Sequence, residues 1–200
     1  MERKYAWHNY DDATMEKVYA LSDTYRQFLD NGKTERECVV QAVELAEAKG
    51  YVNLNDVIKS NTPIKAGDKI YYTYMDKSIA LFNIGTDDIE LGMNILGAHI
   101  DSPRIDVKQN PQYEDSNLVF WDTHYYGGIK KYHWVAMPLA IHGVVVKTDG
   151  TRININIGDK ETDPVFCITD LLPHLGQEQM QKNAAKVIEG ESLDLLIGSR

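Results

Sequence analysis

Apolar positions along this chain recur first at helical spacing and then at strand spacing. Met15, Val18, Tyr19, Tyr25, Phe28 and Leu29 form one stripe of a helix over residues 12–30. Asn31-Gly32 ends it, since both residues tolerate a left-handed cap. A second helix opens at Thr34-Glu35-Arg36-Glu37, a capping box in which a hydroxyl and a carboxylate reciprocally satisfy exposed N–H groups. It carries Val39, Ala42, Val43 and Ala46 on one face and stops at Gly50. Both stripes read as core, and Arg36 and Glu47 read as surface positions. Beyond Asn53 the period shortens. Residues 69–74 and 78–84 are rich in β-formers and flank Met75-Asp76-Lys77, which predicts a hairpin. Gly85-Thr86-Asp87-Asp88 makes the next turn, and the continuous apolar run 93–96 reads as a buried strand that closes at Pro103.

After Pro103 the pattern becomes β-rich. Candidate strands are 104–108, 118–123, 129–137, 139–147 and 152–157, with Thr148-Asp149-Gly150-Thr151 as a hairpin turn and 110–117 as an exposed loop. Several short strands at close spacing predict a small barrel or sandwich. Residues 177–189 predict a surface helix ended by Gly190, and 193–197 a further apolar strand. Helices, a hairpin and a buried strand followed by a β-rich region give an α/β reading with a boundary near residues 102–108.

Composition narrows the function classes. Two hundred residues suffice for one or two domains, and a formal charge of −9 gives no clustered basic face for nucleic acid. Lys130-Lys131 reads as a solvated turn or strand edge. Cys38 and Cys167 have neither metal-knuckle nor disulfide-framework spacing, which suits a reducing compartment. No apolar window approaches a membrane span, so the expectation is a cytoplasmic protein without membrane or nucleic-acid partners.

The candidate chemistry lies at Gly97-Ala98-His99-Ile100-Asp101-Ser102-Pro103. On an extended backbone, His99 and Asp101 project to the same side. Imidazole binds zinc through one ring nitrogen, while a carboxylate accepting the other N–H fixes tautomer and orientation. A strand-end histidine beside a capping carboxylate is the alternative reading of the same residues. His8, His124, His142 and His174 form no helical ligand pair and read individually as structural, and a catalytic zinc site normally needs three protein ligands.

The run from Gly97 to Arg104 resembles the first metal-ligand motif of the aspartyl aminopeptidase family of dizinc exopeptidases. Tyr126-Gly127-Gly128-Ile129, followed by Trp134, Pro138-Leu139 and His142-Gly143, is similar to that family's tyrosine-glycine-glycine signature, especially in its bacterial branch. Leu172-Pro173-His174-Leu175 matches a later segment, and the likeness runs from the first helix to the C-terminus.

The resemblance implies a zinc-peptidase-like α/β catalytic domain interrupted by a β-rich dimerisation domain. Residues 1–103 would be the first part of the catalytic domain, 104–190 the dimerisation domain, and 191–200 the start of the returning segment. His99 would bind one of two zinc ions and Asp101 would orient it; the pair of ions would polarise the scissile carbonyl and activate water for release of an N-terminal amino acid from peptides. The resemblance also implies a histidine from the inserted domain that completes a neighbouring subunit's active site. His133 is the candidate, although ungapped alignment puts Tyr132 at that position. The remaining ligands and the base glutamate belong to motifs outside these residues, so the expectation is a fragment with negligible peptidase activity alone. A second reading, from another class, is a non-catalytic oligomerisation module built on the aromatic, edge-exposing stretch 104–170. The two agree if the parent enzyme is a homo-oligomer.

Overall fold

The computed structural model describes residues 5–199, which divide into two compact units meeting in sequence at Asp101 and Ser102. In the first unit a 3-10 turn, Ala6–Asn9, precedes helix α1, Asp12–Asn31, whose N-cap Asp11 accepts a hydrogen bond from the Thr14 amide at 2.8 Å. Helix α2, Glu35–Glu47, opens with the capping box read from the sequence: Thr34 accepts from the Glu37 amide and Glu37 accepts from the Thr34 amide at 2.9 Å. Strand β1, Val52–Asn53, and the short helix α3, Leu54–Lys59, lead into strands β2, Lys69–Tyr74, and β3, Ser78–Asn83. The sheet order is β1-β2-β3, parallel at the first pairing and antiparallel at the second.

Helix α2 supplies this unit's anchor. Cys38, Val39 and Ala46 are buried from α2, and Ile70 and Tyr71 from β2. Two polar contacts add to that packing. Arg36 donates to the Met75 carbonyl at 2.9 Å and lies 3.7 Å from Asp76, across the β2–β3 turn. The Tyr71 hydroxyl donates to Glu47 at 2.7 Å, and that hydrogen bond pushes the phenol's pKa up. Arg36 and Glu47 therefore hold the helix to the hairpin, where the sequence reading made them plain surface residues. The α1 stripe also departs from expectation. None of its residues is buried; Met15, Val18 and Phe28 are half-buried while Tyr19, Tyr25 and Leu29 are exposed. Gly32 ends α1 at φ −111°, not in the left-handed region; a Cβ there would sit 2.9 Å from the Cys38 sulfur, so close approach to α2 is what calls for glycine.

The second unit is built on a four-stranded antiparallel sheet in the order β4-β5-β9-β8, formed by β4, Arg104–Asp115, β5, Leu118–Tyr126, β8, Cys167–Ile168, and β9, Leu195–Ser199. Strands β6, Ile141–Val146, and β7, Arg152–Ile157, make a separate two-stranded ribbon, turned by Gly150 at φ +84°. Ile168, Ile188, Leu193 and Leu195 form the buried core, packed by Ile105, Trp121, Trp134 and Phe166. The buried Thr123 hydroxyl donates to the Leu193 carbonyl, tying β5 to the segment before β9.

Several sequence expectations fail here for identifiable reasons. The segment 110–117, read as a loop, continues β4 through a bulge between Val107 and Gln112 and closes on Ser116 and Asn117, both left-handed. Pro111, with no N–H to donate, falls inside the irregular stretch. The stretch 129–137 is not a strand but a 3-10 turn, Lys131–His133, followed by a single bridge at Val135; Ala136 at φ +56° breaks any ladder. The helix expected over 177–189 shrinks to the turn Gln179–Gln181, because Val187 and Ile188 are drawn onto the core. The sheet is open rather than a closed barrel, with β4 and β8 as its edges. The 191–200 stretch, expected to begin a returning segment, supplies β9 to this sheet. No described helix is long and apolar enough to cross a membrane.

Two stability predictions follow from these contacts. Thr34→Ala removes one half of the capping box and should cost the first unit about 1 kcal/mol in urea unfolding; an unchanged midpoint contradicts the cap's role. Partial burial and a 2.6 Å hydrogen bond to Asp194 push the Tyr113 hydroxyl up to about 12 from its ordinary value of 10.0. A pKa raised on folding means a contribution intact below pH 10 and lost as pH climbs toward about 12. Wild type should therefore lose more stability than Tyr113→Phe between pH 9.5 and 11.5, a titration range set at roughly that of tyrosine.

Candidate metal centre

The segment carrying His99 leaves the 3-10 turn Ile89–Leu91 through Gly92 at φ +107° and adopts neither helix nor strand up to Pro103. The buried strand expected over 93–96 is thus not formed. Met93, Ile95 and Leu96 are exposed by 63, 81 and 96%. The physical reason lies in pairing, since an isolated extended segment has no ladder to join.

Despite that, the local geometry at the motif is the one its spacing calls for. His99 Nδ1 lies 3.2 Å from Asp101 Oδ1 and 2.9 Å from the Asp101 main-chain carbonyl. With the proton on Nδ1, both oxygens accept from it and Nε2 keeps its lone pair for a cation. The His99 side chain is 83% exposed and the Asp101 side chain 34%. The donor set fits a single imidazole ligand with an orienting carboxylate. It does not fit a whole zinc site: among the described residues no group of three or more His, Cys, Asp or Glu side chains is arranged to hold a metal.

The other candidates fall elsewhere. His133 belongs to the second unit, exposed on the turn Lys131–His133 with its ring edge-on to Tyr132 at 4.6 Å. His124 stacks on Tyr125 at 5.7 Å. His142, on β6, has a mostly buried side chain with Nε2 3.1 Å from Asp159, whose other oxygen accepts from Asn156 at 3.0 Å. The sequence treated His142 as an ordinary strand residue; the ribbon register that pairs it with Asn156, three residues before Asp159, was the available signal.

Two of the quoted motifs do meet. The β4–β5 register sets Arg104 opposite Tyr126, with the guanidinium 4.3 Å from the ring centroid and Arg104 Nε donating to Asp106 at 2.7 Å. Gly127, at φ +77°, packs so close to Pro103 that a Cβ would lie 3.4 Å from its Cα. The end of the first motif and the start of the tyrosine-glycine-glycine segment therefore form one packed corner. Lys108 adds a polar tie nearby: hydrogen bonds to Asp122 and then Glu191 hold its ammonium above the ordinary lysine range.

Residues 28–198 match the family described as aminopeptidase I zinc metalloprotease, M18. A Clostridium acetobutylicum protein named "Probable M18 family aminopeptidase 1" is 52% identical over 198 residues, covering 99% of this chain and 43% of the relative. A crystal structure of an M18-family aminopeptidase from Thermotoga maritima superposes with a TM-score of 0.89 at 44% identity, covering all of this chain and 42% of that one. The crystal structure of aminopeptidase I from Clostridium acetobutylicum gives 0.85 at 51% identity, over all of this chain and 43% of its own. This chain thus spans less than half the length of these relatives and corresponds to their N-terminal part.

Proposed function

The chain belongs to the aminopeptidase I zinc metalloprotease family, M18, and on that premise we propose that it is the first part of a metal-dependent aminopeptidase, with His99 as a zinc ligand and Asp101 as the carboxylate that orients it. The observation that supports this most directly is the 3.2 Å contact between His99 Nδ1 and Asp101 Oδ1, found in a chain of this family. Asp101 acts on the ring, not on substrate: by accepting the Nδ1 proton it raises the basicity of Nε2 and limits rotation of the imidazole. A pair of zinc ions, if held in the complete enzyme with His99 among the ligands, would supply Lewis-acid polarisation of the scissile carbonyl and a water activated near neutral pH. The products are a free N-terminal amino acid and a shortened peptide.

One imidazole is too few donors for a catalytic zinc. The remaining ligands and the general base are accordingly assigned to polypeptide corresponding to the uncovered part of the relatives, and the 200-residue chain is inactive by itself. The β-rich second unit is the dimerisation domain in this reading, with His133 as its candidate contribution to a neighbouring subunit's site. The far end of the β6–β7 ribbon supports a homo-oligomer: on the face it shares with Ile141, which packs on the core, Val145 and Ile153 are exposed by 49 and 38%. A two-stranded ribbon of this kind is marginal in water without cover.

The test is zinc titration and peptide turnover with the chain as it stands. Short peptides should release no amino acid above the blank. Zinc should bind weakly and shift the His99 Nε2 resonance, with the binding lost in His99→Ala and weakened about 10- to 100-fold in Asp101→Asn. Robust turnover by a preparation of verified intact mass overturns the assignment of the remaining ligands to other polypeptide, and zinc affinity indifferent to His99→Ala overturns the role given to His99.

A further inference from the structure

Of the two lysines read from the sequence as a solvated turn, Lys130 is exposed, but Lys131 is half-buried on the wall of a cavity within the second unit. Lys182, Lys186, Ile188, Glu189 and Gly190 also line it, and its volume of about 410 Å3 falls among small-ligand pockets of roughly 300–1,000 Å3. The walls are fixed from several sides. Ile188 is buried in the core. Gly190 lies so close to Tyr125 that a Cβ would sit 2.8 Å from the ring carbon Cε1. Lys131 Nζ donates to the Ala185 carbonyl at 3.4 Å and stands 5.7 Å from the Tyr125 ring centroid. The turn Lys131–His133 and the segment 182–190 are thus tied around one space, although Lys131 and Ala185 are 54 residues apart in sequence.

The charge of this lining runs against that of the chain. Three lysines face one glutamate, in a polypeptide of formal charge −9. Lys182 lies 3.2 Å from Glu189, with side chains 45 and 69% exposed, an ion pair too solvated to count for much. Neither Lys131 nor Lys186 has a carboxylate within ion-pair distance among the described residues. Ammonium groups around a space of this size sit within roughly one Debye length of physiological salt, about 8 Å, so their mutual repulsion is only partly screened. An anion in the cavity removes that repulsion. The donor type narrows its chemistry. Lysine offers a point charge with rotatable N–H groups, which suits the compact, three-dimensional charge of phosphate, and no arginine supplies the planar fork that grips a carboxylate by both oxygens. We propose that the second unit binds a small phosphate-bearing anion of pyrophosphate size in this cavity, held by Lys131 and Lys186, with Lys182 joining them as it leaves Glu189. The bound anion bridges the turn 131–133 and the segment 182–190, so it raises the unfolding midpoint of the unit with increasing concentration.

Titration calorimetry of the 200-residue chain with pyrophosphate, in the presence of a metal chelator, tests this. The chelator keeps the result separate from the zinc chemistry given to His99, so either reading can fail alone. One pyrophosphate should bind per chain, more tightly than inorganic phosphate and less tightly as chloride is raised. Lys131→Gln and Lys186→Gln should each weaken binding at least about fivefold, and Glu189→Gln, which takes a negative charge out of the lining, should tighten it about threefold. Lys186 is exposed, so its substitution should leave circular dichroism unchanged and keeps the test valid should Lys131→Gln disturb the fold. Lys160→Gln, an exposed lysine outside the cavity, should change nothing. Absence of saturable binding, affinity indifferent to Lys186→Gln, or equal weakening by Lys160→Gln overturns the site. Tighter binding of tricarballylate or of an acidic hexapeptide than of pyrophosphate overturns the ligand class.

Discussion

A β-strand is stable only when the two rows of N–H and C=O groups along its edges find partners, and the structure follows from where that requirement is met. In the second unit it is met at the centre. β9 lies between β5 and β8, and the side chains around it, Leu193 and Ile168 foremost, are the most completely buried in the chain. In the first unit it is met only in part: β2 has neighbours on both sides, but residues 93–98 pair with no strand among the described residues. The same apolar composition thus yields a core in one place and an exposed segment in the other.

That contrast separates ligand chemistry from ligand placement. The contact between His99 and Asp101 is local, spanning two residues, and it forms without any strand around it. A metal site needs convergence as well, and convergence is a property of the tertiary frame. Proximity within a motif gives one nitrogen its correct tautomer; only packed neighbours can bring further donors to the same point.

Local signals in the sequence were legible and long-range ones were not. The capping box at Thr34 and Glu37, the turn at Met75 and Asp76, and the β6–β7 hairpin are all set by neighbours within a few residues. Glu47 is exposed as the sequence reading has it and Arg36 is half-buried, but their partners, Tyr71 and Met75, lie 24 and 39 residues away and leave no local signal. The helix expected over 177–189 lost to the burial of Ile188, and the strand over 93–96 lacked a partner that no local pattern reveals. At the candidate site, the alternation of His99 and Asp101 was enough to foresee their contact, whereas the Arg104–Tyr126 corner needed the β4–β5 register.

The position of β9 bears on how the molecule is made. Its pairing joins Leu118 to Ser199 and Trp121 to Leu195, and Tyr113 reaches Asp194 across 81 residues. A ribosome that has exposed β4 and β5 holds two strands whose central neighbour is still untranslated or in the exit tunnel. At about 5–20 residues per second, those strands wait several seconds with an apolar edge open. The order of synthesis therefore leaves the sheet of the second unit without its central strand until the end of the 200 residues is made, and a pause in translation before codon 195 would lengthen that interval.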